Sequence, residues 1–414
     1  MTQIGGPRVV VVSSRLDIGG TERHLARVLP ELRKSGIDIS LFVLDRGGSL
    51  EPQIARDGVP IAGADRRRPR FVHAVSAGRQ LHNYLRQLRP DILHFFLTEP
   101  YLVGSIATWR TDLIRIMSRR SLAHYQRRHP MLARLERRLH RRTSVLLGNS
   151  AAVVEELVRE CGEQHRVGLI HNGISVGLHI TPQDRAAMRA QTGLPPDAFV
   201  MAIVANLIPY KGHMDLFAAL ASIKDRLPQP WRLMIIGRDD GVGATLRRYA
   251  AERGIADNLI WFDECVDAER LLDAADVAVL TSHEEGFSNS LIEAMARGIP
   301  VLATAVGGNL DAVVQGESGI LVPVHAPTAL ATAILELAQD ASLRARLGKG
   351  GRERVQALFS LDACVRRYVN LYRGIARLDG RPAQAVIDGA VMPRDEQKIG
   401  STGEPAWSMD ARSR

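Results

Sequence analysis

Short apolar, β-branched runs alternate with longer amphipathic stretches along this 414-residue chain, and the alternation stops once and restarts. The first series is Val9–Ser13, Ile39–Leu44, Ile92–Phe96, Leu113–Met117, Val145–Gly148 and Val167–His171. Helical spacing fills the gaps, as in Glu22–Lys34, Val72–Leu88 and Ala151–Arg159. The second series is Val200–Val204, Leu233–Ile236, Leu259–Phe262, Val277–Thr281, Val301–Thr304 and Gly319–Val322. Runs of four to six residues with no polar alternation suit strands covered on both faces, the parallel sheet of an α/β domain. A polar stretch, Ser175–Ala198 with Pro195-Pro196 near its end, separates the two series and leaves room for a short helix at Arg185–Thr192. We expect an α/β chain of two doubly wound, Rossmann-like domains, residues 1–180 and 181–358, each long enough to bury a core. A helix in 359–379, strongest at Leu361–Ile375, and a disordered tail over 380–414 complete the expected layout. Two such domains in series imply a cleft, with ligands at the carboxyl ends of the strands.

Composition narrows the function. At 45% hydrophobic and 24% charged residues, the chain is not collagen-like, a disulfide scaffold or wholly disordered. Three cysteines without Cys-x-x-Cys spacing fit a reducing, cytoplasmic setting. The opening MTQIGGPRVVVVSSR lacks the charged and long apolar regions of a secretory leader, and no apolar run nears the roughly 18–20 residues of a membrane span. Any membrane contact is therefore expected to be peripheral. The net charge of +9 sits in one segment: Arg115–Arg142 holds ten arginines against Glu136 alone, while 44 basic and 44 acidic residues balance elsewhere.

Three motifs follow strands. EEGFSNSLIEAMARGIPVLATAVGG, Glu284–Gly308, puts Glu285 in a loop past Val277–Thr281, with Ser288 as N-cap of a helix carrying Glu293 in its second turn. Carboxylates beside a helix N-terminus suit a ligand with polyol hydroxyls and phosphate. Read alone, the pair could equally be a solvated loop acid and a helix acid. VANLIPYKGHMDL, Val204–Leu216, places Lys211-Gly212 in a strand-to-helix loop, where lysine neutralises phosphate and glycine permits close backbone approach, or where the lysine is an ordinary surface residue. LDIGGTERHLARVL, Leu16–Leu29, puts Gly19-Gly20 at another strand-to-helix turn, a weak phosphate-loop signal. No Asp-x-Asp and no His/Cys cluster at ligand spacing occurs, so neither a metal nor another cofactor is expected.

Glu285 and Glu293 with their context resemble the Glu-x7-Glu motif of retaining glycosyltransferases with two facing Rossmann-like domains, the GT-B group, and specifically family 4. The Lys-Gly loop, the Gly-Gly-x-Glu-Arg opening, GIPVLAT, the Val306–Gly308 turn and HNGI at His171–Ile174 extend the likeness over roughly residues 8–377. The resemblance implies a nucleotide-diphosphate sugar as donor. Glu285 would contact the transferred sugar, Glu293 the ribose and Lys211 the diphosphate. The amides of Phe287, Ser288 and Asn289, together with Gly19 and Gly20, would line the donor. It also implies that the last helix crosses back to the first domain. The chain departs from the family in two places. Ala205-Asn206 replaces the usual Gly-Arg, so Asn206 binds without charge and Arg238 is a candidate to compensate. His94 stands at the first position of a His-x-His whose second is Phe96, and arginines occupy the later histidine position, so Arg119 and Arg120 are candidates to hold an acceptor phosphate. A front-face transfer, in which the leaving phosphate takes the proton, needs no separate base.

The basic segment has two readings. Leu132, Leu135 and Leu139 share a helical face and Arg134, Arg137, Arg138, Arg141 and Arg142 cover the rest. That is either a core-packed helix with a solvated back or a surface for anionic lipid, in keeping with a polyprenyl-linked or glycan acceptor. One aromatic, Tyr125, is too few for a nucleic-acid stacking platform. The expected activity is transfer of a hexose-type sugar in surface polysaccharide or lipopolysaccharide assembly. A nucleotide-sugar epimerase on the same architecture and a non-catalytic membrane scaffold are the alternatives.

Overall fold

The computed structural model describes residues 6–65, 70–162, 166–177, 180–262 and 268–377. They form two compact units, one holding the residues up to Ser175 and those from Leu361 onward, the other Val176–Ser360. The division falls five residues before the expected 180, and the expected tail at 380–414 lies outside the described residues.

The first unit runs β1 (Arg8–Ser13), α1 (Gly20–Lys34), β2 (Asp38–Val43), α2 (Glu51–Arg56), β3 (Ile61–Gly63), α3 (Arg70–Leu88), β4 (Ile92–Phe96), α4 (Thr98–Ala107), β5 (Ile114–Arg119), α5 (His124–Arg128), α6 (Pro130–His140), β6 (Val145–Gly148), α7 (Ala151–Cys161) and β7 (Val167–Leu169). Its strands pair in parallel in the order β3-β2-β1-β4-β5-β6-β7. Val11 sits between Leu41 and His94 in register. Val9 and Val11 face a core shared with Leu25 and Leu29 of α1, while Val10 and Val12 face Leu81 of α3 and Leu157 of α7. Covering both faces explains why β1 reads as four valines without alternation. The three-residue β3 escapes detection because Ile-Ala-Gly at a half-buried sheet edge carries no apolar run.

The second unit opens with α8 (Pro182–Gln191), which begins three residues before the expected helix. Thr181 accepts from the Asp184 amide and the Asp184 carboxylate accepts from the Thr181 amide, a reciprocal cap with Pro182 at the first helical position. There follow β8 (Phe199–Val204), α9 (His213–Ile223), β9 (Trp231–Ile236), α10 (Gly243–Glu252), β10 (Leu259–Phe262), α11 (Ala268–Leu271), β11 (Val277–Leu280), α12 (Asn289–Ala296), β12 (Val301–Thr304), α13 (Asn309–Ala312), β13 (Ile320–Val322), α14 (Pro327–Gln339) and α15 (Ala341–Leu358). The parallel order is β10-β9-β8-β11-β12-β13. The last helix, α16 (Leu361–Arg377), packs in the first unit, where Tyr368, Leu371, Tyr372 and Ile375 join the core of β1 and α1.

Candidate active site

Each sheet reverses its winding once, between β1 and β4 and between β8 and β11. Loops leaving two strands that wind in opposite directions diverge and open a crevice at the carboxyl edge. In the second unit those loops are 205–212 after β8 and 281–288 after β11, and they bring two motif residues together: Lys211 Nζ donates to Glu285 Oε2 at 2.6 Å. The side chains are 18% and 11% exposed, so the pair is largely out of water but open at one edge.

Backbone contacts fix this meeting. Thr281 Oγ1 donates to the Lys211 carbonyl at 3.1 Å, and the His283 amide donates to the Tyr210 carbonyl at 2.7 Å. Gly212 has φ +69, and a Cβ there would lie 2.0 Å from the Thr281 carbonyl oxygen. On the other side the Gly308 amide donates to the Glu285 carbonyl at 3.3 Å, and a Cβ on Gly307 would come within 1.8 Å of that oxygen. Lys-Gly and Val-Gly-Gly are therefore steric conditions for placing Lys211 and Glu285.

Burial pulls the Lys211 ammonium down, but the charge and hydrogen bond of Glu285 outweigh it and leave its pKa above the ordinary value. The neighbouring His213, buried and then repelled by Lys211, falls to about 4 and is neutral at physiological pH; nothing in the sequence marked it. Ser288 caps α12 by accepting from the Leu291 amide at 3.3 Å. Phe287 is buried against Phe359, with ring centroids 5.2 Å apart. Asn289 opens the helix, and Glu293 in its second turn is 2% exposed.

Asn206 and Arg238 do not join Lys211. Both turn to Asp240: Arg238 Nε donates to Oδ1 at 2.7 Å and Asn206 Nδ2 to Oδ2 at 3.4 Å. The expected compensating charge is thus already matched by a carboxylate. In the first unit Gly20 starts α1 behind Gly19, and the Glu22 carboxylate folds back so far that a Cβ on Gly19 would lie 2.3 Å from it.

Of the residues expected on the acceptor side, His94 and Arg119 are engaged within the core of the first unit, while Arg137, Arg138, Arg141 and Arg142 are exposed. His94 is fully buried, with Nδ1 2.7 Å from the Tyr372 hydroxyl and Nε2 2.8 Å from Ser118 Oγ. Burial, and then Arg120, depress its pKa to about 3. It ties β4 to α16. Arg119 is buried and donates through both terminal nitrogens to Glu160, while Glu136 stands 3.9 Å away. Arg120 lies over the Phe96 ring, 5.8 Å from its centroid.

The same network turns α6. The expected apolar face was Leu132, Leu135 and Leu139, but the face that is buried carries Ala133, Glu136, Leu139 and His140. Glu136 accepts from Tyr125 at 2.7 Å and Gln126 at 2.7 Å, and His140 Nε2 lies 3.2 Å from Glu160. Leu132 is half-buried and Leu135 exposed, while the buried Arg119 is met by the carboxylates of Glu160 and Glu136. Met131 is left 81% exposed, and Leu135, Arg134, Arg137, Arg138, Arg141 and Arg142 are exposed as well. Arg142 stacks on Trp109, 3.9 Å from its centroid.

Among the described residues, one group of three metal-capable side chains lies within reach of a single ion: Asp215, His283 and His325, at the same sheet edge as Lys211. The expectation of no metal rested on spacing along the sequence, which cannot show donors gathered from three separate segments. No described helix is long and apolar enough to cross a membrane.

Two family models match the chain. Glycosyltransferase Family 4 covers residues 18–178 and Glycosyl transferases group 1 covers residues 184–354. A D-inositol 3-phosphate glycosyltransferase of Streptomyces avermitilis is 28% identical over 393 residues, 86% of this chain and 83% of the relative. D-inositol 3-phosphate glycosyltransferase 2 of Catenulispora acidiphila is 35% identical over 238 residues, 55% of each chain. Among solved structures, Anabaena HepE in complex with UDP and glucose superposes with a TM-score of 0.78 at 19% identity, covering 87% of this chain and 98% of HepE. Sucrose-phosphate synthase from Thermosynechococcus elongatus gives 0.76 at 24% identity, covering 90% and 100%. Fold and motifs together define a glycosyltransferase of the GT-B class. The chain is a glycosyltransferase whose first half matches the Family 4 model and whose second half matches the group 1 model.

Proposed function

We propose that the enzyme is a retaining transferase that moves a hexose-type sugar from a nucleotide-diphosphate donor to a glycan or lipid-linked acceptor in surface polysaccharide or lipopolysaccharide assembly. The Lys211–Glu285 pair at the crevice edge of the second sheet carries this reading. The donor diphosphate lies against Lys211 and the N-terminus of α12, with a sugar hydroxyl on Glu285 and the ribose on Glu293. As the bond from the anomeric carbon to the phosphate oxygen breaks, the acceptor oxygen bonds to that carbon from the same face. The departing phosphate oxygen takes the acceptor proton. The engagement of His94 by Tyr372 and Ser118 supports a step without a separate base.

The exposed Met131 and arginines of α6 support a lipid-linked acceptor on an anionic membrane at the inner face of the cytoplasmic membrane. A second reading, a small phosphorylated polyol as acceptor, is favoured by the name shared by the Streptomyces and Catenulispora relatives. The test begins with thermal stabilisation by a panel of nucleotide sugars. Transfer from the stabilising donor to a polyprenyl-diphosphate glycan and to inositol phosphate is then followed by NMR of the product anomer. Retained configuration on the lipid-linked acceptor is the expected result. Inversion overturns the mechanism, and transfer to inositol phosphate alone overturns the acceptor.

A further inference from the structure

We propose that Asp215, His283 and His325 form a binding site for a divalent ion of the zinc class, one that clamps together the segments carrying Lys211 and Glu285. Asp215 lies in the first turn of α9, three residues after Gly212; His283 lies in the loop after β11, two residues before Glu285; His325 follows β13. Asp215 Oδ2 is 2.8 Å from His283 Nε2 and 3.6 Å from His325 Nδ1, and one ligand atom from each residue lies within 4.8 Å of the others. Four ligands at about 2.0–2.2 Å around zinc stand about 3.3 Å apart, a value that falls between the two measured gaps. Two imidazoles and one carboxylate leave a fourth position for water, and imidazole selects zinc-like ions over magnesium or calcium.

Two further observations point the same way. His325 holds a left-handed backbone, φ +54, uncommon for a residue other than glycine, and its ring centroid lies 3.9 Å from that of His283. Access is also graded: the Asp215 and His283 side chains are about one-quarter exposed, while that of His325 is 63% exposed, so an ion enters from solvent and closes on the inner pair. The inner pair already borders the donor loop. The His283 amide holds the Tyr210 carbonyl, and a Cβ on Gly212 would be 3.1 Å from His283 Nε2. The ion therefore acts through these loops as a positioning element and does not touch the transferred sugar.

The experiment uses the full chain, stripped of metal with a chelator and dialysed against Zn2+, with zinc content measured by mass spectrometry. Wild type should hold one zinc per chain, His325→Ala should bind at least about tenfold to a hundredfold more weakly, the scale of losing even an outer-shell partner, and Asp215→Asn should follow. His129→Ala, an exposed histidine elsewhere, serves as control and should bind as wild type does. Co2+ should give the visible absorption of a four- or five-coordinate ion in wild type only, and Zn2+ should raise the Tm of wild type but not of His325→Ala. Circular dichroism checks that His325→Ala, altered at an exposed side chain, remains folded. Equal zinc content in wild type and His325→Ala, or none in wild type, overturns the site and leaves a hydrogen-bonded Asp–His pair beside a second histidine.

Discussion

Lys211 is a desolvated cation, and Glu285 keeps it charged before any donor arrives. Replacing Lys211 by Met removes the charge while keeping the stem, and should lower kcat by about 10²–10³-fold, the scale of one lost electrostatic contact in a transition state. Steady-state kinetics with the preferred donor checks this, and an unchanged kcat contradicts the role. Arg119 and Glu160 show the opposite kind of charge, one that holds structure. Glu160→Gln leaves a buried guanidinium short of a partner and should cost about 3 kcal/mol in urea unfolding, at the low end because Glu136 is near. The hydrogen bonds of His140 and Arg119 overcome burial and hold the Glu160 carboxyl at about 2, below its ordinary 4.5. Its contribution is therefore complete above pH 4.5 and lost as pH falls toward 2, so Glu160→Gln should flatten the acid limb of the stability curve. Residue identity revealed the first pair through its motif. It could not reveal the second, because a basic run does not say which arginines turn inward.

Elements were the most legible level. Every run expected as a strand became one, because parallel strands covered on both faces require continuous apolar sequence. What failed was the face of α6, where periodicity of leucines gave one answer and the carboxylates demanded by Arg119 gave another. The loops were legible through their glycines, since Gly212 and Gly307 stand where any side chain would strike backbone. Gly212→Ala should therefore destabilise by more than Gly58→Ala, which has a similar positive φ but nothing within 4 Å. The control carries only the left-handed penalty of about 1–2 kcal/mol. Paired thermal unfolding measures the difference, and equal losses would mean that the Thr281 contact is not a constraint.

At the scale of the whole molecule, the net charge of +9 changes meaning. Of the ten arginines in 115–142, Arg115 and Arg119 are buried, and the described exposed ones gather on α6 and the two residues after it. A basic side chain gains roughly 1 kcal/mol near an acidic bilayer, and the proposed membrane contact rests on that gain. Changing Arg134, Arg137, Arg138 and Arg141 to Ser should abolish cosedimentation with acidic liposomes at low salt while leaving the fold intact. Arg142 is spared because it packs on Trp109. Undiminished cosedimentation would return the segment to a solvated surface. The reaction itself is not legible from charge; the proposed reaction is placed on two loops at one sheet edge. The most direct test is release of nucleoside diphosphate from the preferred nucleotide sugar by wild type, Lys211→Met and Glu285→Ala, with folding verified for each. We predict turnover by wild type and near-complete loss in both variants, whereas turnover that survives either substitution would contradict the assignment of this pair as the centre of the enzyme.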